Sequence, residues 1–152
     1  MVAVTEEVLD DELVVGKEEG AARLYDVNAL WIAVFLGSGL AGGALLAINA
    51  RRLGNAIAEP IAIGVATTAL GIGLGFALPE LPAIGNSCVQ LGLLYAYFRV
   101  STQHRAIGTH LAAGGELASR WKAAGIGLAA GALLFGLLFA WAFLFPEAAL
   151  EG

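Results

Sequence analysis

The stretch Ala29-Leu-Trp-Ile-Ala-Val-Phe-Leu-Gly-Ser-Gly-Leu-Ala-Gly-Gly-Ala-Leu-Leu-Ala-Ile48 runs twenty residues without a charge. An apolar helix of about 20 residues is what the hydrocarbon core of a bilayer requires. Three more apolar runs follow: 60–78, 83–100 and 123–145, the last being the most apolar. The third is the shortest, its uncharged part being Ala83 to Phe98, so it extends toward Val100 or thins the bilayer locally. Unpaired backbone is prohibitively costly in lipid, so runs of this kind are read as helices. The expected fold is all-α: a polytopic membrane protein with a bundle of four transmembrane helices over 27–146.

Composition agrees with that reading. Of 152 residues, 59% are hydrophobic and 14% charged, against about 25% charged in an ordinary soluble domain. Most of the acids lie in residues 1–26, which are expected to form a disordered acidic tail; a short tail, 147–152, ends the chain. The start lacks the basic region of a cleavable signal. The net charge of −5 argues against a nucleic-acid partner. The lone Cys88 excludes an intrachain disulfide.

The ends of the spans carry local signals. Asp26 or Asn28 is placed to cap the first helix and Gly54 to end it, while Pro60 suits the first turn of the second. Pro79-Glu80-Leu81-Pro82 predicts a tight antiparallel hairpin between spans two and three, and Pro146 closes the fourth. Orientation follows from the basic residues of short loops. Arg51, Arg52, Arg99, Arg105, Arg120 and Lys122 fall in two loops on one side, against Lys17 and Arg23 on the other. That imbalance predicts cytoplasmic basic loops and both termini outside. It also sets Tyr25, Trp31 and Trp141 at one interface and Tyr95, Tyr97, Phe98 and Trp121 at the other.

Two sets of residues inside the spans stand out. Gly39 and Gly43, Gly71 and Gly75, and Gly127 and Gly131 are G-x-x-x-G pairs, in which small residues share a helix face and let two backbones approach. They are expected to pack helices within a monomer or at a homo-oligomer interface. Spans one and two, flanked by Gly37, Ser38, Gly42, Gly64, Thr68 and Gly73, are expected to be the sensitive pair. Leu133, Leu134, Phe135, Leu137 and Leu138 mark span four as lipid-facing. The second set is polar. Asn86 and Gln90 lie four apart on span three, with Tyr97 seven further on, and Thr67 and Thr68 lie midway along span two. An amide in lipid needs a partner, so these side chains face other helices, as packing contacts or as the lining of a permeation path. Glu59, at the end of span two, is within reach of Arg51 or Arg52.

The third loop, 101–122, is amphipathic: Val100, His104, Ile107 and Leu111 recur at helical spacing. Span three is expected to run on into it until Gly114-Gly115, with Leu117 and Trp121 starting a short turn into span four. Its cations suit an anionic headgroup layer. His104 and His110 lie about 120° out of alignment on a helix and lack further ligands, so no metal site is predicted. Ser38, Ser87 and Ser101 have no readable catalytic partners, and no phosphate loop or dinucleotide fingerprint occurs. No cofactor is implied.

Leu24-Tyr25, then Phe35-Leu-Gly-Ser-Gly-Leu-Ala-Gly-Gly43, Asn49 and Leu53-Gly54, resemble a group of small uncharacterised bacterial membrane proteins. Ile107, His110, Gly114-Gly115, Ser119 and Trp121 continue the resemblance, which covers roughly residues 24 to 145. It implies a bacterial inner-membrane location and a four-helix plan, and it transfers no activity. The expected role is therefore non-enzymatic association in the bilayer, as an accessory subunit or a protein protecting against a membrane toxin. The alternative is a small oligomeric channel or transporter lined by span three.

Overall fold

In the computed structural model, residues 23–80 and 82–145 are described; residues 1–22 of the acidic tail, Leu81, Pro146 and the C-terminal tail lie outside them. Five helices follow in order: α1 (Val27–Arg52), α2 (Ala58–Ala77), α3 (Ala83–Val100), α4 (Thr102–Ala112) and α5 (Arg120–Leu144). Among the described residues the chain is all-α but for one isolated parallel bridge, Leu24 to Leu117. By length and composition three helices suffice to cross a membrane: α1, α2 and α5. The 18-residue α3 is the least apolar of the four long helices.

The first of these does not run straight. Gly37 (φ −138°, ψ 15°) and Ser38 (φ 68°, ψ −172°) leave helical geometry and divide α1 into limbs 27–36 and 39–52. In one straight helix, Tyr25 and Asn49 would be about 36 Å apart. Instead the Asn49 side chain accepts from Tyr25 N–H and donates to Tyr25 C=O, both at 2.9 Å. Arg52 donates to the Arg23 carbonyl and lies 5.5 Å from the centre of the Tyr25 ring. Gly42 lies against Val34 and Leu30. The limbs are therefore antiparallel, a helical hairpin about 15 and 21 Å long with its tip at Gly37–Ser38. The run expected as the first span, 29–48, is thus a broken helix and not a continuous one. Gly-Ser-Gly permits the turn, and Asn49 holds it from a distance, satisfying two buried backbone groups only where the limbs fold back.

The other helices pack around this hairpin. Limb 39–52 runs antiparallel to α2, with Gly43 against Gly64 and Gly39 against Thr67 and Thr68. It runs parallel to α3, Gly39 meeting Gln90 and Gly42 meeting Leu94. Helices α2 and α3 are antiparallel, joining Gly71 to Asn86 at one level and bringing Glu59 beside Tyr97 at another. Limb 27–36 runs parallel to α5: Leu24 pairs with Leu117, Ala33 lies on Gly127, and Leu36 on Gly131.

Two consequences correct the sequence reading. Arg23 and Tyr25 share one end of the bundle with Arg52, the end of α3, α4 and the start of α5. Ion pairs Arg23–Glu116 (2.7 Å) and Arg120–Asp26 (3.8 Å) lie there, and Ala118 N–H donates to Leu24 C=O at 2.8 Å. The chain thus enters the bundle at the end carrying the basic loops, whereas the sequence reading set Arg23 and Tyr25 at the end opposite them. Tyr25 belongs to that end too, and it is buried, not an interfacial anchor. Helix α3 also does not continue through the loop. It stops at Val100, where Ser101 is extended and its hydroxyl bonds Phe98 C=O at 2.9 Å; α4 begins anew and ends at Ala112, two residues before Gly114, which has φ +83°.

Burial is concentrated in the half of the bundle that the hairpin fills. Leu24, Leu30, Val34, Leu46, Leu91, Leu94, Phe98 and Ile107 form one cluster; Tyr25, Ala29, Ala33, Ala41, Leu45, Ala118 and Ala123 form the other. Beyond the tip, Phe76, Ile84, Leu133, Phe135, Phe139, Phe143 and Leu144 are exposed.

Candidate functional site at the tip of the hairpin

The tip sits at mid-height of the bundle, level with the middle of α2 and α3. A helix break there strands the first amides of limb 39–52 and the last carbonyls of limb 27–36. Polar side chains from α3 and α2 meet this need. Gln90 Oε1 accepts from Gly39 N–H at 2.7 Å, capping the second limb. Gln90 Nε2 faces Asn86 Oδ1 at 3.4 Å, a weak bond, and Asn86 Nδ2 donates to Gly71 C=O at 3.0 Å. Ser38 Oγ lies 3.4 Å from Thr68 Oγ1. Thr68 and Thr67 donate to the Gly64 and Ile63 carbonyls of their own helix. Asn86 and Gln90 thus meet Gly39, Ser38 and Thr68 at one place, with Thr67 also against Gly39; Tyr97 stands apart from it.

Glycines make this meeting possible. A Cβ on Gly71 would overlap the Gln90 amide, and one on Gly37 would overlap the Gly127 carbonyl. At Gly43 it would lie 2.6 Å from Gly64 Cα. Gly127 and Gly131 present their faces to limb 27–36, with the Leu36 carbonyl 2.5 Å from a Cβ on Gly131. Helix α5 makes its contact with α1, the largest between any two helices, through these glycines, while Leu133, Phe135, Leu137 and Leu138 are exposed. Gly75 is different, with nothing within 4 Å of a Cβ.

The remaining candidates lie at the basic end. Arg51, Arg52, Arg99, Arg105, Arg120 and Lys122 are exposed. Neither Arg51 nor Arg52 forms an ion pair with Glu59, because Arg52 is turned toward Arg23 and Tyr25. His104 Nε2 meets Arg99 at 3.1 Å, and His110 Nε2 meets Glu116 C=O at 3.2 Å, so the two are separately engaged. Among the described residues no three His, Cys, Asp or Glu side chains are grouped to hold a metal.

Sequence reasoning missed the structural roles of Gly37, Ser38, Asn49 and Gln103. The legible signals were Gly37-Ser38-Gly39 as a turn and Asn49 as the lone amide of its run. Comparison of the chain with known protein families, with characterised proteins and with solved structures returns no match.

Proposed function

We propose that this is a non-enzymatic integral membrane protein that acts by helix–helix association, in a bacterial inner membrane as the sequence resemblance implies. In this reading α2, α3 and α5 cross the bilayer, and α1 enters and leaves from one side as a re-entrant hairpin. The mostly apolar limbs of 10 and 14 residues on either side of the break suit such a segment, and protein encloses its broken backbone. Every basic residue of the described chain then faces the cytoplasm together with the N-terminus, and the C-terminus lies outside.

The observation that carries association is the outer face of α5. Gly125, Ala129, Ala132 and Gly136 fall within about 60° of one another around the helix, opposite the face that packs on α1. All four are exposed, and a Cβ on Gly125 or Gly136 would touch nothing. Only 6% of the apolar window of α5 is buried. Lipid gains little from such a small-residue face, whereas a second helix approaches closely on it. Gly125→Leu with Gly136→Leu should abolish a homo-oligomer, or capture of a membrane partner, while leaving the monomer folded. Leu128→Ala with Leu133→Ala should leave assembly intact. Loss of assembly in the second variant but not the first would sink the proposal.

The capped tip favours a second reading, a small channel or transporter, since helix breaks at mid-bilayer recur at solute sites. Solute flux in liposomes that disappears in Gln90→Leu while the fold survives would support it over association alone.

A further inference from the structure

Away from the tip, the basic end of the bundle is a charged surface spread over the ends of α1 and α3, helix α4 and the start of α5. Seven cations stand there against three acids, Asp26, Glu59 and Glu116, a net charge of +4. Ion pairs engage Arg23 and Arg120. Arg51, Arg52, Arg99, Arg105 and Lys122 are exposed and have no carboxylate partner among the described residues. Apolar surface lies among these cations, with Trp121 86% and Val100 85% exposed.

Residues 1–22 carry the complement. They hold seven acids and one lysine, a net charge of −6, and set Val8, Leu9, Leu13, Val14 and Val15 among the acids. They join the described chain at Arg23, which is fixed between the end of α1 and the loop before α5. Arg52 donates to the Arg23 carbonyl, the Arg23 guanidinium pairs with Glu116, and Leu24 bridges Leu117. An extended chain spans at most about 3.6 Å per residue, so Glu18 can reach about 18 Å from Arg23 and Asp10 about 47 Å. Packed helices stand about 8–10 Å apart, which makes the end of this bundle about 20–30 Å across. Every cation on it is thus within reach of the acids. The tether also holds those acids at an effective concentration on the order of millimolar.

An anionic headgroup layer suits the same cations. Such a layer would also press on seven acids rooted in the same surface, and like charges repel. Acids folded onto the cations relieve both imbalances. We propose that the acidic segment 6–19 of this chain docks on the cationic end of its own bundle. Its carboxylates lie on Arg51, Arg99, Arg105 and Lys122, its valines and leucines lie beside Trp121 and Val100, and the surface is closed to anionic headgroups while the segment is seated.

Lys122 is the one lysine of the described residues, so a carbodiimide, which joins an amine to a carboxylate in direct contact, reports the docked state. The test uses the full chain in nanodiscs of phosphatidylcholine, alone or mixed with phosphatidylglycerol, with peptide mapping of the products. Lys122 should be joined to acids of 6–19 within one chain in both lipids. The rate should fall between 0.1 and 1 M salt, as the screening length drops from about 10 to about 3 Å. Arg51→Gln with Arg105→Gln removes two exposed cations and should leave the unfolding midpoint unchanged. The docking constant, taken from the rate as salt is raised, should fall about fivefold, the scale of two exposed ion pairs. A rate indifferent to salt and to this variant would mean that the tether alone brings the groups together, and would overturn the proposal. Loss of the cross-link when phosphatidylglycerol is present would assign the surface to anionic lipid. Cross-links formed only between chains would assign it to the segment of a second copy. Either result overturns docking within one chain, as does Lys122 joined only to acids of the described residues.

Discussion

Replacing Asn49 by Leu separates a hairpin from a straight span more sharply than any other single change. Asn49 is 1% exposed and Tyr25 4%. The amide makes two bonds of 2.9 Å to the Tyr25 backbone, joining the open ends of the two limbs. Leucine is similar in size, so packing changes little, but one buried N–H and one buried C=O lose their partners. Each orphaned group costs about 1–3 kcal/mol, so Asn49→Leu should cost about 2–6 kcal/mol. The lower half of that range is expected, because the end of the bundle lies nearest to water. Were α1 straight, Asn49 would lie about 36 Å from Tyr25, and leucine there would be neutral or stabilising. Reversible unfolding by titration of SDS into mixed micelles gives the free-energy difference directly. Asn28→Leu is the control, since its only bond, 3.1 Å to Asp26, is exposed. It should change stability by less than about 0.5 kcal/mol. An Asn49→Leu variant as stable as the wild type would refute the hairpin.

Further outcomes follow from the same geometry. Reporters of membrane side fused at the N-terminus and inserted at 53–57 should respond alike, and one fused after Gly152 should respond oppositely; unlike responses at the first two would restore a straight first span. Ser38 holds φ 68°, ψ −172°, a region essentially reserved for glycine that costs about 1–3 kcal/mol otherwise. After the weak Thr68 contact and the extra freedom of glycine in the unfolded chain are discounted, Ser38→Gly should still stabilise by about 1 kcal/mol; a lower unfolding midpoint would count against the strained turn. Gly43→Ala should destabilise by about 1–3 kcal/mol, because its Cβ would meet Gly64 Cα at 2.6 Å and Pro60 C=O at 2.9 Å. Gly73→Ala and Gly75→Ala, with nothing within 4 Å, should stay within about 0.5 kcal/mol in the same titration.

The glycine pairs show how far pattern alone reaches. Four-residue spacing identifies helix faces that admit a close neighbour, and Gly39, Gly43, Gly71, Gly127 and Gly131 all have one. Spacing does not say which helix arrives, so Gly75 looks the same as Gly71 and yet faces open space. The leucines around Gly127 and Gly131 hid how extensively α5 packs on α1, because hydropathy averages over a helix, whereas a 100° step per residue lets one face pack and the other stay exposed. Likewise the spacing of Asn86 and Gln90 placed them on one face of α3, but only the fold supplied Gly39 N–H as the partner of Gln90.

The sequence by itself determined an all-helical chain with runs long and apolar enough to cross a bilayer. The cost of unpaired backbone in lipid leaves such runs no other regular form. It also determined most of the breaks between them, because Pro, Gly and a capping Asp26 act on their immediate neighbours, as in the 2.9 Å bond from Ala29 N–H to Asp26. The tertiary structure decided whether the first run continues as one helix or turns back on itself. Locally, Gly37–Ser38 permits both a continuous helix and a reversal, with a strained Ser38 disfavouring the turn. The reversal is held by partners distant in the chain: Asn49 on Tyr25, Gln90 on Gly39, and the bare Gly127 and Gly131 under Leu36. Those contacts exist only once the limbs, α3 and α5 have met, and no window of twenty residues contains them.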